Sequence, residues 1–274
     1  MINKLIKHCK ILFRIFNQNK EIKRISEYNN NSLHKILKAY NKVKYSNFNI
    51  DEINSFKECE EYRQSSLKNE TLISYEIFGI NRKEMVKNIC KKGASKIKFC
   101  QLLYFIINNL NSSSVLEIGT NLGVSGTYIL KALQNQTAGK FITMEGIPEL
   151  CKISSKQFSS IVVNSKYEIK QGLYDYTFPI LLKENHLFDF IFIDGNHNKQ
   201  STLDYFNLLK EKTSNTSVFI FDDINWSKGM IKAWNIIKND NDVNYSIDLY
   251  QQGIVIIDNN DSNKNIKFKL HLSY

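Results

Sequence analysis

Residues Ser114–Gly126 read SVLEIGTNLGVSG, and this stretch decides how the rest of the chain is arranged. Val115, Leu116 and Ile118 form a buried strand, a tight glycine turn follows, and a helix starts at about Val124. The spacing is Glu117-x-Gly119-x-x-x-Gly123. A glycine turn at the carboxyl end of a parallel strand lets a ligand approach the backbone, and the helix N-terminus behind it offers free N–H groups. About 20 residues further on, a second apolar run beginning at Phe141 ends in Glu145, where an acid can accept hydrogen bonds from ribose hydroxyls. A pyrophosphate-binding turn needs G-x-G-x-x-G, and here Glu117 stands at the first of those positions. A carboxylate there repels a pyrophosphate and suits a cationic ligand.

Around this stretch the chain alternates strand and helix. Phe141–Glu145 is the second strand, with a helix over Glu149–Phe158 behind Pro148. Tyr167–Gln171 is the third strand, stopping at Gly172. The run from Asp189 to Asp194 is the fourth, apolar throughout its interior as a strand covered on both faces must be. A helix over Thr202–Lys212, a fifth strand over Val218–Phe221 and a helix over Lys228–Asn239 follow. Three extended runs, Tyr245–Tyr250, Gly253–Asp258 and Ile266–Leu272, close the chain as an antiparallel edge. This order predicts a doubly wound α/β fold with a mainly parallel sheet.

Upstream, Ser32–Val43 reads as helix. Asp51–Leu67 reads as a helix capped by Asp51, because acids cluster in its first turns. Thr71–Phe78 is extended up to Gly79, and Arg82–Lys92 and Ser95–Leu110 read as two helices. Residues 1–24 hold seven Lys or Arg and one Glu, and Ile2, Leu5, Ile6, Cys9, Leu12, Phe13 and Phe16 fall on one helical stripe. The simpler reading packs that stripe on this domain or on a second subunit. The other lays a basic amphipathic helix on a membrane or a partner.

The bulk numbers exclude several classes. The 274 residues, 42% hydrophobic, are enough for one large core plus a helical appendage. No apolar run is long enough to span a membrane, and Lys7, Lys10 and Arg14 interrupt any signal-peptide core. The five cysteines, Cys9, Cys59, Cys90, Cys100 and Cys151, include no C-x-x-C and are expected to be reduced thiols in a cytoplasmic protein. The net charge of +10 comes without a basic stripe interleaved with aromatics, so no nucleic-acid partner is expected.

In an open parallel sheet, ligands bind beyond the carboxyl ends of the strands. Those ends carry Glu117 and its glycine turn, Glu145, Gly172, then Asp194-Gly-Asn-His197, then Asp222-Asp223. Three acids on one rim repel unless a cation neutralises them, and hard oxygen donors suit Mg²⁺ or Ca²⁺. Asp194, Asp222 and Asp223 are therefore candidate metal ligands, and His197 is a candidate general base. The blander alternatives are that Asp222 or Asp223 caps the next helix and that Asp194 binds an organic cofactor.

Taken together, SVLEIGTNLGVSG, the acid of FITMEG, IKQGLYD, FDFIFIDGNH and VFIFDDINWSKGMIKAWN resemble a class I S-adenosylmethionine-dependent methyltransferase. The I-D-G-x-H after the fourth strand resembles the O-methyltransferase-like branch, and DDINWSKGMIKAW resembles uncharacterised methyltransferases of Bacteroidetes. The resemblance covers roughly residues 95–260. It implies a Rossmann-like, seven-stranded sheet, with residues 1–94 as a helical extension or lid and 95–274 as the catalytic domain. It implies that Glu117, Gly119, Asn121, Gly123 and Ser125 surround the methionine part of S-adenosylmethionine, that Glu145 holds the ribose, and that Gly172 and Leu173 border the adenine. In catechol-type relatives the metal, Mg²⁺, sits on positions matching Asp194, Asp222 and Asp223. In metal-dependent sugar O-methyltransferases the base matches His197. The chain departs from the pattern in having Leu173 at the adenine strand and Asp-Asp rather than Asp-Asn after the fifth strand. The function implied is methylation of an oxygen on a small molecule. The alternatives are N-methylation of a peptide or protein, and a non-catalytic scaffold that only binds cofactor. Self-association into a homo-oligomer is left open.

Overall fold

The computed structural model describes residues 2–273, with side chains from residue 7 onward. Three helices lead the chain: α1 (Ile2–Ser26), α2 (Asn31–Lys44) and α3 (Ile50–Ser66). A small antiparallel hairpin follows, β1 (Leu72–Ser74) and β2 (Lys83–Met85), with a 3-10 turn over Glu76–Phe78 between its strands. Then come α4 (Val86–Gly93) and α5 (Ile97–Leu110). The alternating part begins with β3 (Ser114–Ile118) and runs through α6 (Val124–Leu133), β4 (Lys140–Glu145), α7 (Pro148–Ser159), β5 (Tyr167–Gln171), α8 (Tyr174–Lys183), β6 (Phe188–Ile193), α9 (Lys199–Lys210), β7 (Thr213–Phe221) and α10 (Lys228–Ile237). It ends in β8 (Tyr245–Asp248), β9 (Gly253–Asp258) and β10 (Ile266–Lys269).

The large sheet has the order β10-β8-β9-β7-β6-β3-β4-β5. β5, β4, β3, β6 and β7 are mutually parallel, and β9 pairs antiparallel with both β7 and β8. The doubly wound fold is as expected. The strand count is eight rather than seven, because β10 adds itself parallel to β8 at the edge. The chain runs outward from β3 through β4 to β5, returns to β6 on the other side of β3, and so puts its switch point between β3 and β6. That is where ligands settle in sheets of this kind.

Strand alternation divides the core into two layers. Val115, Phe141, Phe190, Phe192, Val218 and Ile220 face a layer shared with α2, α3, α5, α6 and α7. Leu116, Ile118, Ile142, Met144, Ile191, Ile193, Phe219 and Phe221 face α8, α9 and α10 through Phe178, Phe206, Leu209 and Trp234. Both faces of β6 are covered, which is why its sequence is apolar throughout. Residues of the leading helices, among them Leu33, Ile36, Tyr40, Val43 and Phe56, enter the first layer directly.

Local chemistry moves several boundaries. α3 is capped by Asn49, not Asp51. The Asn49 side chain accepts from the Glu52 amide, and the Glu52 carboxylate accepts from the Asn49 amide, both at 2.9 Å, a reciprocal capping box that puts Asp51 inside the first turn. Residues 83–85, expected to be helical, pair with β1 as a strand. The helix α8, with Pro179 inside it, is an element the sequence reading does not anticipate.

Candidate active site

Gly119 follows β3 at φ +106°, a conformation that L side chains resist. A Cβ placed there would lie 2.5 Å from the Asp194 carbonyl oxygen, so β3 and β6 approach this closely only because residue 119 is glycine. The Asp194 amide donates to the Ile118 carbonyl (2.9 Å) and the Asp222 amide to the Ile193 carbonyl (3.0 Å). These bonds extend the strand ladders one residue past their ends. They set the glycine turn, Asp194 and Asp222 side by side at the switch point.

A cavity of about 120 Å³ opens here. Its walls are the turn residues Gly119, Thr120, Asn121 and Leu122, the α6 residues Val124 and Ser125, and Asp194 and His197. Gly93, Ala94 and Ser95 roof it. Gly123 is not on the wall. It stands at φ +74° and its open side faces Ser154 and Phe158 of α7, so it shapes the turn and lets the helices pack.

Glu117 is fully buried on β3. One carboxylate oxygen accepts from the Ser125 hydroxyl at 2.5 Å and the other from the Thr143 hydroxyl at 2.7 Å. Burial pushes its pKa up to about 7, and the two hydroxyls hold it down only in part. No basic side chain pairs with it among the described residues. Nearby, the Asn121 side-chain oxygen is buried and lacks a partner. A buried acid and an orphaned acceptor beside one small cavity fit an ammonium or sulfonium group, as S-adenosylmethionine carries.

Glu145 ends β4 and does a different job from Glu117. Its oxygens accept from the backbone amides of Asn121 (2.8 Å) and Ile147 (2.9 Å). It thereby ties the glycine turn, with Asn121 at φ +50°, to the tip of β4. Lone pairs remain for a ribose hydroxyl. Burial raises its pKa against the pull of those amides. Gly172 follows β5 at φ +141° and donates its amide to the Glu145 carbonyl (2.9 Å). Next to it, a Cβ on Gly146 would meet the Phe78 ring at 3.2 Å and Leu173 at 3.6 Å. Phe78 comes from the small hairpin, so an aromatic face stands over the rim where an adenine is expected.

On the other side of the switch point, Asp194 accepts from the Ser95 hydroxyl at 3.1 Å. Its pKa is driven well above the carboxylate range by burial and by the neighbouring Asp222 and Glu117. Asp222 is raised to about 7 by burial and by Asp223, and it lies close enough to Asp194 for each carboxyl to act on the other. Burial and like-charge repulsion both favour the protonated form in this pair. The other Asp222 oxygen, Oδ1, has no hydrogen-bond partner, and neither side-chain polar atom of the fully buried Gln252 beside it has one. His197 Nε2 lies 3.6 Å from Asp194 Oδ1. Burial lowers the His197 pKa, so its ring is neutral at neutral pH.

Among the described residues no three His, Cys, Asp or Glu side chains are disposed to hold an ion. Asp223 takes a left-handed conformation (φ +53°). The site also includes residues that sequence reading misses. Ser95 and Gln252 come from segments without a motif. Tyr174 begins α8, and its hydroxyl lies 2.6 Å from where a Cβ on Gly195 would be. Only the glycine before it hinted at a ligand-facing turn.

Residues 116–224 match a family model described as a methyltransferase domain. The match spans the glycine turn and the strands β4 to β7, and together with the fold it supports an S-adenosylmethionine-dependent methyltransferase on a class I architecture. Solved structures share that architecture at low identity. The O-methyltransferase TomG of Streptomyces achromogenes, in complex with S-adenosylmethionine, is 19% identical over 60% of this chain and 81% of its own, with a TM-score of 0.53. An O-methyltransferase of Bacillus cereus bound to S-adenosylhomocysteine is 21% identical over 70% and 90%, with a TM-score of 0.53. The methyltransferase PaMTH1 of Podospora anserina, also bound to S-adenosylhomocysteine, is 16% identical over 74% and 95%, with a TM-score of 0.54. No curated protein matches the chain.

Proposed function

We propose that this methyltransferase methylates a hydroxyl oxygen of a small molecule, and that His197 removes the hydroxyl proton. The observation that carries this reading is His197, its pKa lowered by burial, 3.6 Å from Asp194 and on the wall of the cavity that the glycine turn encloses. Bound S-adenosylmethionine supplies an electrophilic methyl group. Glu117 and Asn121 hold its cationic amino-acid end, Glu145 its ribose, and Phe78, Gly172 and Leu173 border its adenine. The cavity is smaller than the roughly 300–1,000 Å³ of a usual small-ligand pocket. The nucleoside half therefore runs out along the open rim toward Glu145.

An alcohol or phenol is a poor nucleophile until it loses its proton, whereas a free amine needs no such help. A poised base thus favours oxygen as acceptor. His197 accepts the proton at Nε2, and the adjacent carboxyl pair stabilises the imidazolium that forms. Positioning supplies the rest. O-methyl transfer is also the activity named for the Streptomyces and Bacillus relatives.

The test is turnover of labelled S-adenosylmethionine over a panel of phenols, sugars, amines and peptides. Methylation of hydroxyl acceptors, lost in His197→Gln while cofactor still binds, is the expected result. Methylation of amines or peptides alone, or full activity in His197→Gln, contradicts the proposal.

A further inference from the structure

The helix α1 is turned inside out relative to an ordinary surface helix. Its polar side chains face the protein. Arg14 is buried and donates to the Asp248 carboxylate (2.8 Å) and carbonyl (2.6 Å). Gln18 accepts from the His271 amide (3.2 Å), Glu21 from the Lys269 amide (3.1 Å), and Arg24 donates to the Lys267 carbonyl. These contacts satisfy the open backbone of β10, the sheet's edge strand, which otherwise invites pairing with another chain. Ile11 and Ile25 complete the buried face.

The opposite face is apolar and open. Leu12 is 51% exposed, Phe13 63% and Phe16 83%, and Cys9 is exposed beside them. In helical spacing these four form one row, at i, i+3, i+4 and i+7. The row continues through Lys20 and Lys23, and Lys10 borders it. All three lysines are exposed and form no ion pair. The sequence assigns Ile2, Leu5 and Ile6 to the same stripe, but their side chains lie outside the described residues.

We propose that this face of α1 docks the protein on an anionic lipid surface. The helix lies in the plane of the interface, with Leu12, Phe13 and Phe16 between the headgroups and the acyl chains and the lysines among the headgroups. It does not cross, since no helix among the described residues is long and apolar enough to do so. Charge decides between a membrane and a second copy of the chain. Arg14 and Arg24 turn toward the protein, whereas Lys10, Lys20 and Lys23 stand on or beside the open row with no acid among them. Pairing two such faces therefore sets cation against cation, whereas anionic headgroups neutralise them. The inference stands apart from the methyl acceptor, since it uses a surface remote in sequence from every residue of the site.

The experiment is flotation of the full chain with vesicles of phosphatidylglycerol and phosphatidylcholine, beside vesicles of phosphatidylcholine alone. The expected result is binding to the anionic vesicles that weakens with salt. Phe13→Ser/Phe16→Ser should weaken it at least about tenfold, and Lys10→Gln/Lys20→Gln/Lys23→Gln about fivefold per lysine, with unchanged thermal unfolding. These side chains are exposed, so the variants should fold. Failure to bind anionic vesicles overturns the proposal. So does equal binding to phosphatidylcholine, or a lipid-free dimer in light scattering that the Phe13/Phe16 variant dissolves.

Discussion

The two halves of the rim use carboxylates in opposite ways. On the β3 and β4 side, Glu117 and Glu145 stand apart, each held by neutral donors: two hydroxyls for Glu117 and two backbone amides for Glu145. On the β6 and β7 side, burial and neighbouring acids raise the pKa of both Asp194 and Asp222, with His197 within ion-pairing reach. In the proposed reading, separation suits the first pair to seat a cation. In the same reading, crowding suits the second pair to handling a proton. One sheet edge thus holds a binding half and a proton-handling half, and the difference comes from how close the strand ends bring like charges.

The largest expected effect follows from disabling the proton-handling half. His197→Gln should lower kcat by about 10²- to 10⁴-fold while leaving S-adenosylmethionine affinity within a few-fold, as stopped assays and equilibrium binding would show. A parallel loss of cofactor affinity would erase the distinction between the halves.

Glu117→Gln should do the reverse and weaken cofactor binding by about a hundredfold. Without ligand it should also stabilise the fold above pH 7. The folded-state pKa of Glu117 is raised to about 7, so ionising it costs stability as pH rises from the unfolded value near 4.5 through 7. The cost at pH 8 is about 3 kcal/mol, which denaturant unfolding of both proteins measures. Equal stability at pH 8 would mean that Glu117 is not a strained carboxylate.

The halves should also titrate separately. Apparent cofactor affinity should fall as pH drops through about 7, because Glu117 takes up a proton. The kcat at saturating cofactor should hold to below pH 6.5, because burial depresses the His197 pKa. Coincident pH profiles for the two parameters would break the comparison. The smallest expected effect is Phe78→Ala, about a tenfold loss of cofactor affinity if its ring faces the adenine. No change there would move the adenine elsewhere on the rim.

The binding half was legible in sequence because it is local. A strand, a glycine turn and a helix start lie within thirteen residues, and Glu145 ends the next strand. β6 was legible because a strand covered on both faces is apolar throughout. The proton-handling half was legible only as a set of residues. Asp194, Asp222 and His197 could be named from strand ends, but whether such acids are charged or protonated depends on spacings that no motif encodes. Ser95 and Gln252 reach the site from distant segments. The cap of α3 was misplaced because Asn49 and Glu52 satisfy each other, a geometric choice among several polar residues. On α1, Cys9, Leu12, Phe13 and Phe16 share one face as their spacing predicts, but that face points away from this domain rather than packing on it. Its outward direction follows from β10, whose edge recruits the polar side of the helix.

Calorimetric titration of S-adenosylmethionine into the wild-type protein and into Glu117→Gln, at pH 7 in buffers of different ionisation enthalpy, tests the central claim most directly. The account predicts binding with release of a fraction of a proton in the wild type, as the cation forces Glu117 to ionise, and weak binding without that release in the variant. Tight binding in both, with the same proton balance, would contradict it.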